Sequence, residues 1–101
     1  MITFTARLRS LPGKEREAEE GLKAMVAAVQ ANEPGALAYI CHETSHPGEY
    51  LFFEVYADEA AKDAHMATPH FQKLMALMGP VLDADFGAKI EDLIRVAGFT
   101  R

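Results

Sequence analysis

The chain has 101 residues, half hydrophobic and a quarter charged, a balance that suits one globular domain spanning residues 1–101. Its net charge is −5 with no basic cluster, which argues against a nucleic-acid partner, and its single cysteine, Cys41, excludes an internal disulfide and a multi-cysteine metal site. No apolar run is long enough for a membrane span, and none follows a basic start as in a signal peptide, so the sequence predicts a soluble, cytoplasmic protein with no membrane partner.

The opening stretch, MITFTARLRS, alternates: Ile2, Phe4, Ala6 and Leu8 fall on one face, and Thr3, Thr5, Arg7 and Arg9 on the other. That period of two predicts a strand. After the LPGK turn, Ala18, Leu22, Met25 and Val29 recur at helical spacing, which predicts a helix from about Lys14 to Asn32. Pro34 and Gly35 stop it.

ALAYICHE and EYLFFEVY are β-rich runs joined by TSHPG, the pattern of a hairpin. Asp58 suits the N-cap of a second helix that stops near Ala67. Thr68 caps a new segment with Pro69 at its first position, where a missing N–H costs nothing, and Gly79 and Pro80 end it. GAKIEDLIRV, residues 87–96, reads as a last strand.

The resulting order, β-α-β-β-α-β, predicts an α+β, ferredoxin-like fold: an antiparallel sheet with helices on one face. The hairpin is apolar on both faces, with Leu51, Phe53 and Val55 on one and Tyr50, Phe52 and Tyr56 on the other. A sheet with one wet face should alternate apolar with polar, so the second face is expected to be covered by a second copy, giving a homodimer through the sheet face.

The segments EPGALAYICHE and YLFFEVYADEAAKDAHMATPHF carry a pattern of Pro34-Gly35, Phe53-Glu54-Val55-Tyr56, Asp58-Glu59, Ala64-His65 and Pro69-His70-Phe71. With the Pro-Gly-Lys exit from strand one, this resembles the antibiotic biosynthesis monooxygenase family across essentially the whole chain. The resemblance implies a dimeric α+β barrel. It covers quinol- and anthrone-oxidising enzymes, haem degraders and an isomerase of a signal molecule. The haem-degrading branch uses an Asn, a Trp and a further His where this chain holds Ala6, His65 and Met75, and the chain has no Trp, so haem degradation is not expected. The Trp common after the strand-three Glu is Tyr56 here, and the Asn, Trp and Tyr set of the antibiotic-tailoring members is not reproduced.

His65 lies one helical turn after Ala61, and Ala60, Ala61 and Ala64 leave room beside it. A histidine there can exchange protons near neutral pH, or can be a core-edge residue bonded to backbone. His70, in the first turn after Pro69, reads as facing solvent or sitting near the cap. His65 and His70 are five residues apart across a helix break, unlike the i,i+4 pairs that bind metals on one helix, and His42 and His46 flank a hairpin turn, so no metal site is expected. Glu54 is expected to form an ion pair with Arg7 or Arg9 on the dimer side of the sheet. Cys41 reads as a buried strand residue without a redox role.

Together with the resemblance, these residues suggest a cofactor-independent monooxygenase acting on a small aromatic substrate: a quinol, phenol or anthrone. His65 would be the base. Phe53, Phe71 and Met75 would be apolar walls with Phe4 beneath, and Tyr39 a polar contact if strand two turns it inward. The alternatives are a non-catalytic ligand-binding or stress-related dimer of the same fold, and an isomerase of a small oxygenated signal molecule.

Overall fold

The computed structural model describes residues 1–101. Its elements are β1 (Ile2–Arg9), α1 (Glu15–Asn32), β2 (Ala36–Glu43), β3 (Glu49–Tyr56), α2 (Glu59–Ala67), α3 (Pro69–Met78), a short 3₁₀ turn (Gly79–Val81) and β4 (Lys89–Leu93). The strands form one antiparallel sheet in the order β2-β3-β1-β4. This is the ferredoxin-like α+β arrangement, with its second helix broken in two.

Register assigns the faces. Phe4 pairs with Glu54 and Ala6 with Phe52, while Tyr39 and Cys41 pair with Glu54 and Phe52 from the other side. These side chains, with Tyr50 and Tyr56, share the face covered by the helices. The core joins Ala6, Tyr50 and Phe52 to Ala18, Leu22 and Met25 of α1 and Met78 of α3. Burial of such side chains typically contributes about 1.5–3 kcal/mol each.

The break between α2 and α3 is built by Thr68. Its hydroxyl donates to the His65 carbonyl at 2.7 Å and accepts from the Phe71 N–H at 3.3 Å, so one side chain closes one helix and caps the next. Pro69 follows at the first helical position. Asp58 caps α2 by accepting from the Ala61 N–H at 2.8 Å. Gly48 turns the hairpin with φ +79°, a left-handed conformation that favours glycine.

Three sequence expectations need correction. β4 covers only Lys89–Leu93: its ladder with β1 ends at the Thr3–Leu93 pair, and Ile94 and Val96 lie beyond it. Glu54 makes no ion pair with Arg7 or Arg9. Alternation puts those arginines on the opposite face, where both pair with Glu49, at 3.5 and 3.6 Å. Phe53 pairs with Thr5 and Ile40, and so also lies on the face away from the helices. No helix is long and apolar enough to cross a membrane.

Candidate functional site

Between the sheet and the helices lies a cavity of about 120 Å³. Phe4 and Ala6 of β1, Tyr39 of β2 and Phe52 of β3 contribute from the sheet, and Phe71, Met75 and Met78 from α3. Beside those apolar walls stand Glu54, His65 and the edge of Tyr39. Four expected site residues, Phe4, Tyr39, Phe71 and Met75, therefore gather around His65. The fifth, Phe53, does not; its neighbour Phe52 occupies that place, since a step of one residue along a strand reverses the face. A larger, open groove of about 410 Å³ between α1 and β2 includes Val26, Cys41 and Tyr50 but not His65. The inner cavity is the better candidate because its few polar groups converge within apolar walls.

His65 is 4% exposed and is held on every side. Its ring centre lies 5.3 Å from Tyr39, 5.6 Å from Tyr56 and 4.9 Å from Phe71, the last edge-on. Nδ1–H donates to the Glu33 carboxylate at 2.9 Å. Glu33 sits just past the end of α1, and it also receives Nε2–H of His70. His70 does lie in the first turn of α3, but it turns inward to Glu33 and is largely shielded, contrary to a solvent-facing position.

Nδ1 being occupied, Nε2 of His65 is the free nitrogen. It has no protein partner, and no buried polar side-chain atom in the structure lacks one, so Nε2 is open to accessible space rather than sealed in the core. Burial pushes the imidazole pKa below its ordinary value, and the Glu33 charge and hydrogen bond only partly offset this. The lowered pKa favours the neutral ring, whose lone pair is then on Nε2, and His65 lines the cavity.

Glu54 is the second ionisable group on the cavity. It is 5% exposed, and its Oε1 accepts from the Tyr56 hydroxyl at 2.7 Å. Burial pushes the carboxyl up to about 7; the Tyr56 hydrogen bond opposes the rise and the Glu33 charge adds to it. Burial, with Glu54's negative charge next, pushes the Tyr39 and Tyr56 hydroxyls well above the ordinary phenol value, so both stay protonated donors.

Sequence reasoning missed Glu33, which reads only as part of a helix stop. Its partners lie 32 and 37 residues away. The available signal was a carboxylate at the negative end of a helix, an unfavourable place without a compensating donor. No group of three His, Cys, Asp or Glu side chains is arranged to hold a metal ion.

The sequence profile described as antibiotic biosynthesis monooxygenase matches residues 1–77. Rv0793 of Mycobacterium tuberculosis, a provisionally named monooxygenase, is 30% identical over 81 residues, covering 80% of this chain and 79% of that protein. Among solved structures, PA3566 from Pseudomonas aeruginosa superposes with a TM-score of 0.83 at 30% identity, over 95% of this chain and 94% of that one. A Caulobacter crescentus structure, provisionally described as an antibiotic biosynthesis monooxygenase, gives a TM-score of 0.85 at 34% identity, over 95% and 90% of the respective chains.

Proposed function

This chain belongs to the antibiotic biosynthesis monooxygenase family, and we propose that it oxygenates a small electron-rich aromatic, a quinol, phenol or anthrone, without a cofactor. The observation that carries this reading is the pairing of Glu33 with His65, which leaves Nε2 free beside an apolar cavity.

His65 takes the proton from a substrate hydroxyl on Nε2. Glu33 stabilises the imidazolium that forms and holds the ring in the tautomer with its proton on Nδ1. The deprotonated ring is electron-rich enough to reduce dioxygen itself. For a quinol the balance closes without an external reductant: the substrate gains one oxygen atom and loses two hydrogens, and the second oxygen leaves as water. All four electrons come from the substrate. The apolar walls exclude water and fix the ring, so the anion forms where bulk water cannot quench it.

The same reading includes a homodimer. Ile40, half exposed, lies with Leu51, Phe53 and Val55 on the sheet face opposite the helices, an apolar surface that a second copy would cover.

The test is oxygen uptake with a panel of quinols, phenols and anthrones and no added cofactor. The expected product carries one more oxygen and two fewer hydrogens than the substrate, with one dioxygen consumed per turnover. No uptake with any panel member, in folded protein, would leave a binding-only role.

A further inference from the structure

Glu54 has no role in the chemistry above, yet its position is costly. A carboxyl group 5% exposed and set among Phe4, Phe52 and Tyr39 ought to have a cation or a full set of donors. It has neither. The arginines of β1 are on the other face, paired with Glu49, and both imidazoles nearby are committed to Glu33. Tyr56 satisfies Oε1 alone. Oε2 has no protein partner and is not sealed in, so it opens onto the cavity that Glu54 lines.

The register places it further. Phe4 and Tyr39 are its cross-strand neighbours, and the His65 ring stands over Tyr39 and Tyr56 at 5.3 and 5.6 Å between centres. A ligand in this space therefore meets His65 from the helix side and Glu54 from the sheet side.

We propose that Glu54, positioned by Tyr56, is a specificity-determining residue that hydrogen-bonds a second oxygen on the aromatic ring, the first being the hydroxyl at His65. The assignment rests on the aromatic-substrate reading above. A carboxyl held near its protonation midpoint suits the role, because it accepts from a hydroxyl when ionised and donates to a keto oxygen when protonated. The group can thus follow the second oxygen as a hydroxyl becomes a carbonyl. At about 120 Å³ the cavity is smaller than the roughly 150 Å³ that admits benzene, so a one-ring ligand enters only as the flexible Met75 and Met78 side chains yield.

The experiment is anaerobic calorimetric titration with two probes, hydroquinone and 4-methylphenol, which share one hydroxyl and differ by a hydroxyl against a methyl. Wild type is expected to prefer hydroquinone by ~10–100-fold, the range of one hydrogen bond to an ionisable group. Glu54→Gln, which keeps hydrogen-bonding capacity, should retain most of that preference. Glu54→Leu should abolish it while leaving 4-methylphenol affinity within about threefold, as for a contact made only to the second oxygen. If Glu54→Leu does not fold, Glu54→Leu with Tyr56→Phe removes both partners and leaves no orphaned hydroxyl. Equal affinity of wild type for both probes, or a preference that survives in the folded leucine variant, overturns the assignment of Glu54 alone. Binding of neither probe to folded wild type overturns the aromatic reading and this assignment with it.

Discussion

His65 donates its Nδ1–H to Glu33 at 2.9 Å, across 32 residues of sequence. That contact ties the end of α1 to α2, and the bond from His70 to the same carboxylate adds α3. One side chain thus fixes three helical segments over the sheet. It also divides the work of the two histidines: both face Glu33, but only His65 also lines the cavity.

The division gives the first expected outcome. His65→Ala should lower the rate by ~10²–10⁴-fold, the usual contribution of a general base. His70→Ala should stay within a few-fold of wild type, since His70 acts on the site only through Glu33. Oxygen uptake by both variants checks this, and equal losses would show that the two imidazoles do not differ in kind.

Glu33→Gln keeps the side-chain volume and removes the charge. The imidazolium formed on His65 loses its counter-ion, and removal of an orienting carboxylate has cost as much as about 10⁴-fold in other triads. A loss of at least tenfold in kcat is expected here, with a lower melting temperature because two charge-assisted hydrogen bonds weaken together. An unchanged kcat would mean that Glu33 only holds the helices in place.

The fold was readable because its signals are local. Asp58, Thr68 and Pro69 mark helix boundaries by the chemistry of their own backbone, and alternation along residues 2–9 marks a strand whatever surrounds it. The site was readable only in part. Phe4, Tyr39, Phe71 and Met75 lie at the cavity with His65, but Phe53 reads as a wall by its apolar ring and Glu54 is placed by an expected arginine partner, neither by parity. Following alternation from Phe52 and Tyr56 puts Glu54 with them, facing the helices, and turns Phe53 away. Glu33 has no such local clue: its meaning depends on α2 and α3 folding back over the end of α1, a contact that no spacing within the helix encodes.

Stability should depend on pH through Glu54. Its carboxyl rises from an ordinary 4.5 to about 7 in the folded chain, so the folded state holds the proton more tightly than the unfolded state does. The stabilisation is therefore full below pH 4.5 and is lost as pH rises through 7, on the order of 3 kcal/mol in all. His65 acts with the opposite sign, since its lowered pKa penalises the folded state as pH falls below its ordinary value. Comparing wild type with Glu54→Gln cancels the histidine contribution. The melting temperature of the variant should gain on wild type steadily between pH 4.5 and 8, and a gap independent of pH would contradict the burial of an ionisable Glu54.

Gly35 should tolerate no side chain. A Cβ there would meet the Ala61 Cβ at 2.7 Å, and Ala61 sits one turn before His65 on α2. Gly35→Ala must push α2 outward, and overpacking of this kind costs about 1–3 kcal/mol, or roughly 4–8 °C of melting temperature per kcal/mol for a domain this small. Adding Ala61→Gly restores the space and should recover both stability and rate. Failure of that second change to rescue would show that the close approach is not what limits the site.

The last expected outcome concerns the far side of the sheet. There Arg7, Arg9 and Glu49 form a charged network at one end, while Ile40, Leu51, Phe53, Val55 and Leu93 supply apolar side chains beside Thr3, Thr5 and Glu91. Ile40 is 49% exposed and Leu93 36%, so the single chain leaves these apolar side chains wet, although Val55 between the strands is already buried. An apolar sheet face of this kind favours association with its own copy, because two-fold pairing buries the patch on both chains at once. Light scattering at micromolar concentration should therefore report about twice the mass of the chain. Phe53→Glu with Ile40→Lys places two charges in the middle of the patch, and should give a monomer whose inner cavity is untouched, since both side chains point away from His65. A wild-type protein that runs as a monomer, or a charged variant that remains a dimer, would rule out this face as the contact.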